Sequence, residues 1–450
     1  MEQDVSSERQ LTKKFFKYLI PSVSAMWFFS IYTMVDGIFV GKGVGPFALA
    51  AVNLSMPFVN TIFAVALLVA IGSSTLITFY FGKNEREKSN EIFTLNVIIL
   101  SALGVITSIV SLLFLDKIAI FLGATEETFI YVKDYLRIII LFSTFFIVSY
   151  SLEVLVKADG FPIYSIVFVT LSALTNIVLD YILVIRFDYG IKGAAFATGL
   201  SQFISCVGFL IHFIVGKSNL KFVKPEFDFK LIKKLFVLGI PESLTELSAG
   251  FTTFIFNYVI LRHIGPEGIA AFSVIMYLNN LVLMSMIAVN QGMQPLISFY
   301  NGREDQKSIK RLLDLALKTS LIFGLVFFIA SQLFNEQLVS LFLKASNKEA
   351  FQISLKGLKI FSFGFLVCGL NIVFSGYFTA LKETKKATII SSLRGYILVC
   401  IVLFILPNIF GDVGIWIAPL VYEALTLFIT LTIYGRSKVA LKEGEYSLNR

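Results

Sequence analysis

Two aspartates stand inside long apolar runs of this chain. Asp36 lies in the run 15–40 and Asp180 in the run 162–185. Asn176 precedes Asp180 by one helical turn, so the two share a face. Thr198 lies in the first turns of a third run, 193–216. At a rise of about 1.5 Å per residue, Asp36, Asp180 and Thr198 fall at one depth, roughly 7–10 Å from the nearer ends of their runs, with Asn176 one turn deeper. Two carboxylates, an amide and a hydroxyl are thereby expected at one level. Close buried carboxylates repel, so one takes up a proton, or a small hard cation with oxygen ligands screens the pair. Either way the set switches between charged and neutral. The alternative is a polar cluster that only joins helices.

Such groups need a frame that carries them through an apolar medium. Of the 450 residues, 56% are hydrophobic and 15% charged, against about 25% charged in soluble domains. The mean hydropathy is +0.82. Apolar runs of roughly 20 residues match a hydrocarbon core, and their backbone groups must be paired internally, which means helices. Twelve spans are expected, at 15–40, 47–81, 92–115, 130–156, 162–185, 193–216, 234–261, 267–300, 312–334, 351–380, 388–407 and 413–434. The second and eighth exceed a bilayer's thickness and are expected to project or tilt. The alternating ten-residue segments of a β-barrel do not occur.

Lysine and arginine divide 24 against 7 between alternate connections. The rich set includes Lys157 and the tail's Arg436, Lys438, Lys442 and Arg450; the poor set includes Lys344. That bias puts both termini in the cytoplasm, which an even number of spans satisfies. The net charge of +8 is therefore a topology signal, and no nucleic-acid surface is expected. The polar first fourteen residues and the long run behind them do not resemble a cleavable leader. Cys206, Cys368 and Cys400 fall in apolar runs and are expected as inert thiols. No GxxxxGK[ST] loop is present, so ATP hydrolysis by this chain is excluded and no ATPase subunit is expected.

The chain repeats itself. GVGPFALAAV at 43–52 aligns with HIGPEGIAAF at 263–272, and LITFYFGK at 76–83 with LISFYNGR at 296–303. Gly72 matches Gly292, and Pro21 matches Pro241, at the same offset of 220. The polar stretch 217–233 separates an N-lobe, 1–216, from a C-lobe, 234–434, with a cytoplasmic tail at 435–450. Parallel six-span repeats are a transporter plan, with a cavity between halves that rock. A duplicated bundle serving a membrane enzyme is the other option, but no nucleophile–base pair or metal constellation stands in the spans.

The second half does not copy the acidic set. Phe256 stands opposite Asp36, and the partners of Asn176 and Asp180 fall near Ile397 and Ile401. It has its own polar residues. Glu246 and Glu423 lie deep, Arg394 is shallower, and Glu242 is one turn before Glu246. They read either as a cation-attracting cavity wall or as an Arg394–Glu423 pair with Glu242 hydrated. Asn280, Gln291 and Gln294 should face a cavity or another helix. Tyr32, one turn from Asp36, is the best aromatic candidate to meet a cationic substrate. Pro21 and Pro241 interrupt two runs and are candidate hinges. His212 and His263 look isolated. Apart from Na⁺ at Asp36, Asn176, Asp180 and Thr198, no metal site is expected.

These residues resemble the multidrug and toxic compound extrusion (MATE) transporters, in the DinF-like branch and its MepA-like subgroup. The likeness rests on MVDGIFVGKGVGPFALAAVNLSMP, on TNIVLDYILV and on the six-plus-six plan. It implies an all-α fold of two pseudo-symmetric six-helix lobes and a cation site at Asp36, Asn176, Asp180 and Thr198, with Pro21 as the accompanying proline. It further implies antiport of cationic or aromatic compounds against H⁺ or Na⁺, without a cofactor. A multi-pass protein of a bacterial or archaeal cytoplasmic membrane is expected, monomeric among its lipids. The segment FSFGFLVCGLNIVFSGYFTAL lacks the acid of the NorM-like branch. A flippase for lipid-linked saccharides, from the same superfamily, is the competing reading.

Overall fold

The computed structural model describes residues 2–343 and 348–448, with side chains described for 8–343 and 348–436. Lys344 and Arg450 lie outside the described residues, and Lys438 and Lys442 outside the described side chains. Among the described residues, 12 helices are long and apolar enough to cross a membrane. Spans 1 to 6 are Glu8–Gly43, Pro46–Gly82, Arg86–Leu113, Phe129–Ala158, Ile163–Arg186 and Gly190–Val215. Spans 7 to 12 are Phe229–His263, Pro266–Gly302, Gln306–Leu333, Lys348–Ala380, Thr384–Phe410 and Asp412–Arg436. The protein is an all-helical, multi-pass membrane protein.

Spans 2 and 8 have 37 residues each, or about 55 Å of helix, so they outrun a hydrocarbon core of about 30 Å. The outward surface is apolar, as lipid requires. Span 3 exposes Ile98, Val105, Ile109 and Leu113 along its length. Its inner side is polar but satisfied: Asn96 Nδ2 donates to Ser73 Oγ at 3.0 Å, and Asn96 Oδ1 accepts from Ser151 at 2.8 Å. Such bonds join spans 2, 3 and 4 without leaving polar atoms in hydrocarbon.

The repeat seen in sequence is kept in the elements. Pro46–Gly82 and Pro266–Gly302 begin and end 220 residues apart, and so do Arg86–Leu113 and Gln306–Leu333. A short helix follows each, Leu115–Phe121 and Asn335–Ser340, starting at the same offset. The turns match too. Gly45 and Gly265 hold positive φ before spans 2 and 8, and Asn84 and Glu304 hold it after them. Glycine takes that region freely, whereas the other two carry a side chain there. Pro21 and Pro241 lie inside unbroken helices, so the expected interruptions are not breaks. In span 7 the Thr245 hydroxyl donates to the Pro241 carbonyl at 2.9 Å.

The chain divides into two compact units. The first is Met1–Leu247, Gln291–Leu312 and Ala380–Lys382; the second is Ser248–Asn290, Leu313–Thr379 and Glu383–Arg450. The connection after span 6 is pinned along the start of span 3. Lys221 N donates to Asn90 Oδ1 at 2.9 Å, Val223 N to Thr94 Oγ1 at 3.1 Å and Glu226 N to Glu91 Oε1 at 3.1 Å.

Within the first unit, spans 2, 7 and 8 meet backbone to backbone at glycines. A Cβ on Gly72 would collide with the Leu235 backbone, and one on Gly239 with Leu68. Gly82 and Gly302 face each other, with Phe299 and Phe79 carbonyls against them. Ser298 Oγ donates to Thr75 O at 2.6 Å across the same contact. Filling such a contact costs ~1–3 kcal/mol or more, because backbone cannot rotate away. Gly72→Val and Gly302→Val are expected to lower the melting temperature of the purified protein by several degrees. Gly250→Ala, where a Cβ meets nothing within 4 Å, is expected to leave it unchanged or slightly raised. Equal melting curves for all three would show that these contacts are loose.

Candidate functional site

Asp36, Asn176, Asp180 and Thr198 come together in the first unit. Asn176 and Asp180 are 0% exposed and Asp36 is 6% exposed. The Asp36 and Asp180 carboxyl groups are close enough for each to feel the other's charge. Asn176 Nδ2 donates to Thr198 Oγ1 at 3.3 Å, and that hydroxyl donates onward to Ala194 O at 3.0 Å. Four acceptors are left without a donor among the described residues: Asp36 Oδ1, Asn176 Oδ1 and both oxygens of Asp180. Ionised carboxylates only accept, so two in contact require a proton or a cation between them. The all-oxygen set suits a hard monovalent ion as well as a proton.

Local sequence explains the convergence. Glycines let the C-terminal ends of spans 1 and 5 and the start of span 6 close on one another. A Cβ at Gly43 would press on Val184 and Ile185 at 2.8 Å, and one at Gly193 on Leu183 at 3.1 Å. Those three residues belong to Tyr181–Arg186, a π-helical segment that begins directly after Asp180. A π segment loosens the helix and is frequent at functional sites. Span 11 carries a second one, Leu393–Ile397, around Arg394. Apolar periodicity gives no sign of either.

Tyr32 is buried, shares a cavity lining with Gln202 and feels the charges of Asp36 and Asp180. Its ring meets Phe29 edge-on at 5.2 Å. With Phe29, Phe63, Tyr150, Phe209 and Glu153 it lines a cavity of about 30 Å³. Tyr135, on span 4, also lies within reach of both aspartates; its single polar atom in an apolar run carries no sequence signal.

Below that cavity sits a buried ion pair that corrects the sequence reading. Lys157 belongs by sequence to a basic connection, but it ends span 4 and is 1% exposed. Its Nζ lies 2.9 Å from Glu153 Oε1 and donates to Gln291 Oε1 at 2.6 Å. Ser165 Oγ donates to the same glutamate oxygen at 2.9 Å. Gln291 also lies near the Tyr150 hydroxyl. Gln294 Nε2 donates to Glu242 Oε1 at 2.7 Å, so Glu242 has a protein partner as well as any water. Glu246, one turn on, lies close enough to feel Glu242, and Tyr150 feels both.

His212 is not isolated either. Its Nε2 is 3.0 Å from Asp159 Oδ2, while Asp159 Oδ1 accepts from the Asn219 and Leu220 backbone at 2.8 and 3.1 Å. Asn280 and Glu423 belong to the second unit. Asn280 is exposed. Glu423 is buried, with Oε1 2.9 Å from Arg394 Nε and Oε2 accepting from Asn371 at 2.7 Å. Of the two readings of these residues, the Arg394–Glu423 pair is the one present. Among the described residues, no group of three His, Cys, Asp or Glu is placed to hold a metal. The three cysteines are free.

The chain matches the MatE family over residues 21–182 and 241–405. It is 28% identical over 407 residues to the multidrug export protein MepA of Staphylococcus aureus (strain bovine RF122 / ET3-1), covering 90% of this chain and 89% of that protein. It is 26% identical over 408 residues to MepA of Staphylococcus saprophyticus, with the same coverage of 90% and 89%. In fold it is similar to a multidrug resistance MATE family transporter of the MOP superfamily solved in an outward-facing conformation. There the TM-score is 0.91 at 22% identity, over 96% of each chain. A MOP superfamily transporter from Pyrococcus furiosus gives a TM-score of 0.90 at 21% identity, over 96% of each chain.

Breaking one member of a buried pair leaves an uncompensated charge, at about 3–5 kcal/mol. Lys157→Met alone and Glu153→Leu alone are therefore expected to destabilise strongly. The double substitution should recover most of the loss, giving a large coupling energy in a double-mutant cycle read by denaturation in detergent. Additive losses would mean that the pair is hydrated and weak.

Proposed function

This chain belongs to the MatE family, and on that premise we propose that it exports small cationic or aromatic compounds in exchange for H⁺ or Na⁺. The supporting observation is the set of four buried oxygens without donors at Asp36, Asn176 and Asp180. Glu153 and Glu423 each have an internal cation; Asp36 and Asp180 have only each other. Their counter-charge is the transported ion. Two carboxylates about 4 Å apart repel by roughly 4 kcal/mol at an effective dielectric of about 20, and the ion relieves that repulsion when it binds. Its arrival and departure change the packing of spans 1, 5 and 6, which biases alternating access.

Tyr32 links the ion site to the aromatic cavity, and Glu246, Gln291 and Gln294 are proposed to line the substrate path. MepA relatives are named as multidrug exporters, which supports a broad range of small substrates. Pro21 and Pro241 lie within the moving helices as points of bending. The Lys and Arg bias supports cytoplasmic termini in a bacterial or archaeal cell membrane. The chain acts as a monomer without a cofactor. Arg394, the residue that favoured a flippase for lipid-linked saccharides, is committed to Glu423.

Ethidium efflux from proteoliposomes, with Na⁺ and pH gradients imposed separately, tests the proposal. Wild type should respond to one gradient. Asp36→Asn and Asp180→Asn should each reduce gradient-driven efflux at least tenfold, and Asn176→Leu less severely. Efflux at the wild-type rate in Asp36→Asn would remove the pair as the coupling site. Efflux insensitive to both gradients would remove antiport.

A further inference from the structure

Away from the acidic site, the first unit holds a cavity of about 380 Å³ lined by Lys14, Lys17, Arg86 and Arg303. These residues come from three separated places: the first turns of span 1, the start of span 3 and the turn after span 8. All belong to the ends expected at the cytoplasmic surface. We propose that this cavity binds a phosphate-bearing anion, either the headgroup of an acidic phospholipid or a soluble phosphate.

The cytoplasmic excess of lysine and arginine alone would not single out this place. Four cations lining one cavity do. Some basic residues outside it have acids: Lys88 is 2.6 Å from Glu85, Lys386 is 2.7 Å from Glu383 and Arg311 is 3.7 Å from Glu8. None of the four cavity cations forms an ion pair with a described carboxylate. The one acid in the lining, Asp159, has both oxygens engaged by His212 and by the Asn219 and Leu220 backbone. It is taken up in holding the connection after span 6.

Two of the cations are also held near each other. Lys14 Nζ lies 4.8 Å from the centre of the Phe299 ring, and the Arg303 guanidinium 4.7 Å from the same centre. One ring face attracts a cation, but two like charges on one ring repel. An anion shared between them turns that repulsion into attraction. Guanidinium and ammonium together are the usual partners of phosphate, the first by its planar fork and the second as a point charge. Asn84 and Asn219 add amide groups to the lining, while Phe81, Pro295 and Leu296 add an apolar wall. The volume exceeds one phosphate and suits a phosphate with its glycerol. Basic residues near a membrane surface are attracted to an acidic leaflet.

Native mass spectrometry of the purified full-length chain, after exchange into phosphatidylglycerol or phosphatidylcholine micelles, tests this. Wild type should retain phosphatidylglycerol at least fivefold better than phosphatidylcholine. Lys14→Gln/Arg303→Gln should fall to the phosphatidylcholine level. Lys88→Gln/Lys386→Gln, an equal change of charge at paired residues, should keep the preference. Glycerol 3-phosphate in the millimolar range is the soluble probe. If it binds wild type but not the cavity variant and displaces the lipid, the site takes a free phosphate. If it does not bind, the headgroup is the occupant. Melting temperature checks folding, and the exposed pair Lys17→Gln/Arg86→Gln replaces the first variant where that one is unfolded. Undiminished retention in a folded cavity variant overturns the proposal. So does a wild type that prefers neither phosphatidylglycerol nor glycerol phosphate.

Discussion

A carboxylate buried in a hydrocarbon layer costs several kcal/mol unless a cation or a set of donors accompanies it. This chain meets that cost in three different ways. Glu153 has Lys157, with Ser165 on the same oxygen. Glu423 has Arg394 and Asn371. Asp36 and Asp180 are given no cation, and four oxygens of their cluster lack donors among the described residues. The first two arrangements are complete and resist change. On the transport reading, the third is complete only when something small and positive enters, and its place at the meeting of spans 1, 5 and 6 ties that event to helix packing.

Duplication accounts for the frame and divergence for the chemistry. Spans 2 and 3 are repeated by spans 8 and 9 with identical starts and ends at an offset of 220. Asp36 has Phe256 as its counterpart, and that ring is buried, stacked on Phe272 at 4.9 Å. Where the first repeat keeps a charge that must be neutralised, the second keeps a dry aromatic pair worth about 0.5–1.5 kcal/mol beyond its burial. Ile397 and Ile401, near the counterparts of Asn176 and Asp180, are exposed apolar surface. A copied acidic site would have doubled the number of uncompensated charges.

What could be read in the sequence follows from the range of the forces involved. Span existence depends on run length and internal backbone pairing, both local, and all twelve expected spans overlap the observed helices, whose ends lie up to seven residues away. Asn176 and Asp180 share a face because helical spacing is local as well. Lys157 misleads because it stands two residues before Asp159-Gly160, in a stretch that looks like a turn. Its burial depends on Gln291, 134 residues away. His212 and Asp159 are likewise far apart in the chain, and neither stretch announces the other. The π segments after Asp180 and around Arg394 leave no trace in apolar spacing.

On the transport reading, the glycine contacts in the first unit suit a protein that opens and recloses. Gly72, Gly82, Gly239 and Gly302 bring backbone against backbone, so little side-chain order changes when the surfaces part. Few hydrogen bonds cross there, Ser298 to Thr75 being one, and helix backbones remain internally paired after separation. Interlocked large side chains would separate only by giving up their whole dispersion attraction at once. Paired charges would leave costly orphans on opening. Lys157 and Gln291 supply the polar exception, and because Lys157 keeps Glu153 as a partner within its own helix, releasing Gln291 does not strand a bare charge. On the transport reading, that separability is what lets the binding of one small cation near Asp36 decide between two packings of similar energy.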